Sequence, residues 1–141
     1  MTETNYRTPQ EAEAAFYRAF SARDVTSMMA VWSDADDIVC VHPGGQMLTG
    51  NDAIRGSWTA IFSNAPEIQF VVAEQQRSHG ERLAVHVVQE HIRSGGQLPR
   101  APIIATNVYR LTDGGWRMVL HHASPGVVAD EADDQQKQTL H

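Results

Sequence analysis

A chain of 141 residues, 42% hydrophobic and 20% charged, has room for one domain built on a single substantial core. Its net charge of −6 and the lack of a basic cluster interleaved with aromatics argue against a nucleic-acid partner, and no apolar run approaches the roughly 20 residues that span a bilayer. The start Met1-Thr2-Glu3-Thr4-Asn5 has no basic-then-apolar leader, so a cytoplasmic location is expected. The one cysteine, Cys40, cannot form an internal disulfide and reads as a small buried hydrophobe within Ile38-Val39-Cys40-Val41.

Thr8-Pro9-Gln10-Glu11 combines an N-cap, a proline at the first helical position and a glutamate three residues after the cap, which marks the start of a helix. Ala12, Ala15, Phe16, Ala19 and Phe20 recur on one face of it until Ser21 to Asp24 breaks the pattern. Asp24 can cap a second short helix, whose apolar stripe is Val25, Met28, Met29 and Trp32. A strand over Ile38 to His42 follows and ends at Pro43-Gly44-Gly45, because proline holds the residue before it extended. A third helix begins near Asn51 or Asp52 with Ile54, Trp58, Ile61 and Phe62 on its apolar face, and stops at Asn64 and Pro66. Strands are then expected over Ile68–Ala73, Leu83–Ile92, Ile103–Leu111 and Trp116–Ser124, with turns at His79-Gly80, Ser94-Gly95-Gly96 and Asp113-Gly114-Gly115. Three helices followed by an antiparallel meander describe an α+β domain with the sheet curled over the helices. It would occupy residues 1–126, followed by an acidic, glutamine-rich flexible tail over 127–141.

The last two strands carry Asn107, His121 and His122 where half-buried strands usually hold Val, Ile or Thr. Adjacent strand residues point to opposite faces, so His121 and His122 cannot chelate one metal together. His121 is the one expected to face inward, in register with Val119 and Ala123, leaving Trp116, Met118, Leu120 and His122 on the other face. His86, Glu90 and His91 suggest a zinc motif, but on a strand His86 and His91 face opposite ways, and on a helix their spacing of five misses a shared face. His86, His91 and Gln89 could each contribute a single group to a pocket, with Gln89 and His91 on the face of Leu83, Val85 and Val87, and solvent exposure or a dimer contact is the equal alternative. No metal or cofactor is expected, and no phosphate loop, dinucleotide fingerprint or Ser-His-Asp arrangement is present.

The order of these elements, with Phe16 to Asp24 leading to Trp32, Val41-His42-Pro43-Gly44-Gly45 with Leu48-Thr49-Gly50, Ala105-Thr106-Asn107-Val108-Tyr109 and Gly115-Trp116-Arg117 through His122-Ala123-Ser124-Pro125, resembles the nuclear transport factor 2-like superfamily, particularly its SnoaL-like and ketosteroid isomerase-like branches. The resemblance implies a cone in which three N-terminal helices pack in a strongly curved, mostly antiparallel sheet, and a homodimer paired through the outer sheet face. It also implies a catalytic set. His42 stands where the isomerases carry a proton-shuttling carboxylate before proline, and an imidazole can serve as base near neutral pH. Asn107 matches the protonated aspartate that holds the oxyanion, and its amide donates at any pH. The third member, a tyrosine on the first helix, matches Phe16. Tyr17 lies about 100° further around the helix, and this departure speaks against strict steroid isomerase activity.

Two readings follow. In the first, a cofactor-independent isomerase, cyclase or dehydratase moves a proton next to a carbonyl of a small hydrophobic molecule. His42 is its base, Asn107 with His121 holds the oxyanion, and Phe16, Trp32 and Trp58 form apolar walls. In the second, the chain is a noncatalytic dimeric module for ligand binding or protein association. For His42 the competing structural role is a strand end bonded to a carbonyl, for Asn107 a ladder residue, and for Trp58 plain core packing.

Overall fold

The computed structural model of the chain describes residues 5–64, 68–94 and 101–127. Gly95 and Gly96 of the turn expected after Ser94 and nearly all of the expected tail, residues 128–141, lie outside the described residues.

Helix α1 (Pro9–Ala22) begins as its sequence dictates, with Thr8 Oγ1 accepting from the Glu11 amide at 3.1 Å and Glu11 Oε2 accepting from the Arg7 amide at 3.0 Å. It ends at Arg23, whose left-handed φ of 54° turns its N–H back onto the Ala19 and Phe20 carbonyls. Asp24 caps α2 (Val25–Val31) through the Ser27 amide at 3.2 Å. After α2 come β1 (Val39–Val41) and β2 (Met47–Thr49), then α3 (Asn51–Asn64) and four long strands: β3 (Ile68–His79), β4 (Leu83–Ser94), β5 (Ile103–Thr112) and β6 (Gly115–Pro125). The three-residue strand β2 was not expected, since Met47-Leu48-Thr49 is too short to carry an alternating pattern.

The six strands form one sheet in the order β2-β1-β6-β5-β4-β3. All neighbours are antiparallel except β1 and β6, whose parallel pairing sets Cys40 beside His121. His42 therefore follows the last residue of β1, on the edge side of the last strand. Register shifts in β3 between Ala73 and Gln76, and across β5 and β6 at Val108/Tyr109, bend the sheet around the helices. The core lies between them: Phe16 and Ala12 of α1, Met28 of α2, Ile54 and Trp58 of α3, and the inward residues Ala84, Val88, Ala105, Tyr109 and Met118 of the sheet.

Two faces differ from the sequence expectation. Across β6 the shift gives one extra residue, Val119, so Met118 lies opposite Tyr109 and is fully buried on the inner side with His121 and Ala123, not on the outer side with His122. On β4 the inward set is Ala84, His86, Val88 and Glu90, all buried, so Gln89 and His91 occupy the outer face and do not line the interior. The apolar residues Leu83, Val85 and Val87 made their face look like the core. In the single chain Leu83 and Val87 are exposed.

Candidate functional site

The inner face of the sheet carries a polar rung across three strands, because β4 sets His86 opposite Asn107 and β5 sets Asn107 opposite His121. Each of these side chains is almost completely buried. His121 Nδ1 lies 2.6 Å from Asn107 Oδ1, and Asn107 Nδ2 donates to the Tyr17 hydroxyl at 3.0 Å. The Tyr17 hydroxyl in turn donates to Glu90 Oε2 at 2.6 Å. An amide oxygen can only accept, so the neutral His121 ring holds its hydrogen on Nδ1. Four buried groups are thus joined in one line with a definite direction of donation, from His121 through Asn107 and Tyr17 to Glu90.

Tyr17, about 100° around α1 from the position that matches the family's tyrosine, is nonetheless buried against Asn107. A helix enclosed by a curved sheet buries more than one stripe, and both Phe16 and Tyr17 are inside. Phe16 packs its ring against Trp58 and His121, with centroids 5.7 and 4.9 Å away, while Tyr17 turns to the sheet. The hint in the sequence was spacing: Glu13 and Tyr17 on α1, and His86 and Glu90 on β4, each stand four apart and share a face.

The electrostatics follow from burial. Among the described residues Glu90 bonds the Tyr17 hydroxyl and no cation, and desolvation pushes its carboxyl up to about 7 against the pull of that hydrogen bond. Burial also drives the Tyr17 hydroxyl far above its ordinary value, with the Glu90 charge adding to it. Burial lowers His121 to about 3, helped by the charges of His42 and His122, so this ring is neutral at physiological pH.

His42 sits at the edge of this cluster, half-buried, its ring edge-on to Trp58 at 4.7 Å and 6.4 Å from the ring of His121. Desolvation holds it below the ordinary imidazole value. Its Nε2 lies 2.9 Å from Ser57 Oγ on α3 and 3.6 Å from Cys40 Sγ, a thiol that burial pushes up to about 12. Ser57 is a neighbour that the sequence reading missed. Trp58 is fully buried at the centre of a ring cluster with Phe16, Phe20, Phe62, His42 and His121, and its indole Nε1 has no hydrogen-bond partner among the described residues.

The sequence-derived set is therefore divided. His42, His121, Phe16 and Trp58 converge, and Asn107 joins them through His121. Trp32 is buried at the end of α2, bridged to Met118, with no ring contact to His42 or His121 among the described residues. Gln89 and His91 are on the outer face. His121 is inward, but its Nδ1 hydrogen is spent on Asn107, so the neutral ring has no donor left to stabilise an oxyanion. A cavity of about 430 Å³ lies elsewhere, between α1 and α2, lined by Tyr6, Ala15, Arg18, Ala19, Ala22, Ser27 and Ala30.

A second polar cluster surrounds His86. Its Nδ1 lies 3.1 Å from Glu13 Oε1, Arg77 reaches the other Glu13 oxygen at 3.2 Å, and its Nε2 lies 2.7 Å from Nε2 of the exposed His79. The ring centroids are 5.0 Å apart, which is that separation plus the two ring radii, so the nitrogens meet head-on. That is the geometry of one shared proton rather than of two lone pairs converging on a metal. No group of three or more His, Cys, Asp or Glu among the described residues is arranged to hold a metal ion.

Residues 10–129 match the SnoaL-like domain family. The chain belongs to that family. Among solved structures, this SnoaL-like chain is similar to a candidate calcium/calmodulin-dependent protein kinase type II association domain from Thiobacillus denitrificans, with 40% identity, a TM-score of 0.84 and coverage of 88% of this chain and 99% of that one. It is also similar to a candidate dehydratase of the NTF2-like family from Streptomyces avermitilis, with 34% identity, a TM-score of 0.75 and coverage of 83% and 92%. A curated relative, the F-box protein SKIP8 of Arabidopsis thaliana, is 26% identical over 116 residues, which are 82% of this chain and 48% of the relative. The chain thus spans about half the length of that relative. No helix among the described residues is long and apolar enough to cross a membrane.

Proposed function

We propose that this SnoaL-like chain binds a small, uncharged, hydrophobic carbonyl compound beside His42 and moves a proton next to the carbonyl without a cofactor, as an isomerase, cyclase or dehydratase does. One observation carries the reading. Among the described residues, a half-buried neutral imidazole with no partner on Nδ1 stands against the ring of Trp58, whose buried indole N–H also lacks a partner. A base and an uncommitted donor within one apolar ring cluster suit enolisation, because the proton leaves carbon as negative charge builds on oxygen.

In this reading His42 accepts the proton from carbon, and the Trp58 N–H faces the developing oxyanion. Asn107 acts differently from the role its matching position implies. One of its N–H groups is committed to Tyr17 and its oxygen to His121, so it braces the polar line behind the aromatic wall. Phe16 and Trp58 exclude water. The similarity to a candidate dehydratase supports an eliminating reaction, in which His42 returns its proton to a departing hydroxyl. The test is deuterium uptake from heavy water into a panel of enolisable ketones and β-hydroxyketones, followed by mass spectrometry. Uptake that depends on His42 is expected, and equal uptake by His42→Ala would sink the proposal.

The second reading, a dimeric association module, is favoured by the outer sheet face. Val71, Leu83, Val85, Val87, Val108 and Leu120 share it, and Val71 and Leu83 are 65% and 48% exposed in the single chain. A face of this kind usually meets a partner. A second copy of the chain fits, and the two readings are compatible because the site and this face lie on opposite sides of the sheet.

A further inference from the structure

We infer that Ser57 is a positioning residue that fixes His42 as its Nε2–H tautomer, which makes Nδ1 the nitrogen that receives the substrate proton. The inference rests on the proposed role of His42 as base. The Ser57 hydroxyl has one hydrogen, and it donates that hydrogen to the Ile54 carbonyl at 2.7 Å, within its own helix. What remains on Oγ is lone pairs. The contact of 2.9 Å to His42 Nε2 is therefore made by a hydrogen carried on Nε2. The other neighbour of that nitrogen, Cys40 Sγ at 3.6 Å, belongs to a buried thiol in its protonated form, whose sulfur is a much weaker acceptor than the Ser57 oxygen at 2.9 Å. Nδ1 has no hydrogen-bond partner among the described residues.

The same pair of residues admits an opposite reading, in which Ser57 is a nucleophile and His42 its base. That reading needs the hydroxyl hydrogen on the Nε2 side and a bare Nε2. The bond to Ile54 removes the hydrogen, and among the described residues no carboxylate bonds the far side of the ring. Because α3 is a rigid element and Ser57 sits within it, the anchor holds the imidazole plane as well as the tautomer. When His42 takes a proton from the substrate carbon onto Nδ1, the substrate is left as an enolate and the ring as an imidazolium. The Nε2–H still donates to Ser57. The proton on Nδ1 then returns to another carbon or leaves with a hydroxide as water, and the ring is again neutral.

The test is ¹⁵N-detected NMR of the histidine rings of the whole chain above neutral pH, with His42→Gln used to assign the signals. The wild type is expected to show a protonated Nε2 and a bare Nδ1 at His42. In Ser57→Ala the two nitrogens should move toward an average as the tautomers mix. Ser57→Thr, which keeps the hydroxyl, should restore the wild-type pattern. Where turnover is measurable, Ser57→Ala should lose about tenfold in kcat with little change in KM, the scale of one hydrogen bond. A bare Nε2 in the wild type would overturn the inference, as would an unchanged spectrum in Ser57→Ala. Covalent labelling of Ser57 by a fluorophosphonate would overturn it too, since it requires the hydroxyl hydrogen to pass to His42. Persistence of turnover in His42→Ala would defeat the proposed function and leave this tautomer result standing, so the two failures are distinguishable.

Discussion

Replacing Glu90 by glutamine should make the chain more stable at alkaline pH and leave it nearly unchanged in mild acid. The buried carboxyl titrates near 7 against an ordinary value of 4.5, a gap of about 2.5 pH units. A carboxyl raised in the folded state contributes its full stability below the unfolded value and loses it as pH rises through the folded one. At about 1.4 kcal/mol per pH unit the loss amounts to about 3 kcal/mol by pH 8. Glutamine keeps an oxygen that can accept from Tyr17 and carries no charge. His121 runs in the opposite sense: its pKa is lowered to about 3, so its contribution is full above 6.5 and lost as pH falls toward 3. The two trends oppose each other over mildly acidic pH, so the wild-type curve by itself is uninformative and the difference between the two proteins isolates Glu90. Urea unfolding at about pH 5 and about pH 8 should give a Glu90→Gln advantage growing from under about 1 kcal/mol to about 3 kcal/mol, the latter roughly 10 °C in Tm. A difference that stays constant over that range, or a variant less stable at alkaline pH, would refute the reasoning.

Other outcomes follow from particular contacts. Tyr17→Phe leaves the Asn107 amide and the Glu90 carboxylate without their shared hydroxyl, and unfolding should show a loss of about 2–4 kcal/mol at pH 8, less where Glu90 is protonated. Gly115→Ala should be among the most damaging changes outside the site. Its φ is +98°, and an added Cβ would overlap Asn5 Oδ1 and lie 2.7 Å from the Tyr6 carbonyl oxygen, so thermal unfolding should report a loss above about 2 kcal/mol. Val87→Lys on the outer sheet face should reduce a homodimer to monomer in light scattering without changing the circular dichroism spectrum; a wild type that is already monomeric would exclude that interface.

Much of the fold was legible because local chemistry and tertiary structure agree. Thr8-Pro9-Gln10-Glu11 starts α1, Asp24 caps α2, and Asp113-Gly114-Gly115 joins the last two strands where the turn residues say it should. What misled was the inversion of polarity across the sheet. On β4 the apolar set Leu83, Val85 and Val87 faces outward and the set His86, Val88 and Glu90 faces inward, so a rule that puts apolar residues inside chose the wrong face and carried Gln89 and His91 with it. The register shift at Val119 likewise reversed the faces expected for Trp116 and Met118, since one extra residue exchanges every side chain beyond it.

The site was legible in part. Asn107 and His121 stand out as polar residues in strands and His42 as the residue that follows one, and all three are gathered on one side of the sheet. Their partners were hidden because Tyr17, Ser57 and Glu90 meet them only through the packing of α1, α3 and β4, at sequence separations of 90, 15 and 73 residues for Asn107–Tyr17, His42–Ser57 and Tyr17–Glu90. No periodicity within one element reports such a meeting.

The central claim, that His42 and Trp58 border a binding site for an uncharged carbonyl compound, is tested most directly by a crystal structure of the protein grown with a phenolic analogue of an enolate, such as 2-naphthol. The account predicts the ring of the analogue against Trp58 and Phe16, with its oxygen within hydrogen-bond reach of the Trp58 indole N–H or of His42 Nδ1. Density for the analogue only in the cavity between α1 and α2, with the His42 side empty, would contradict it.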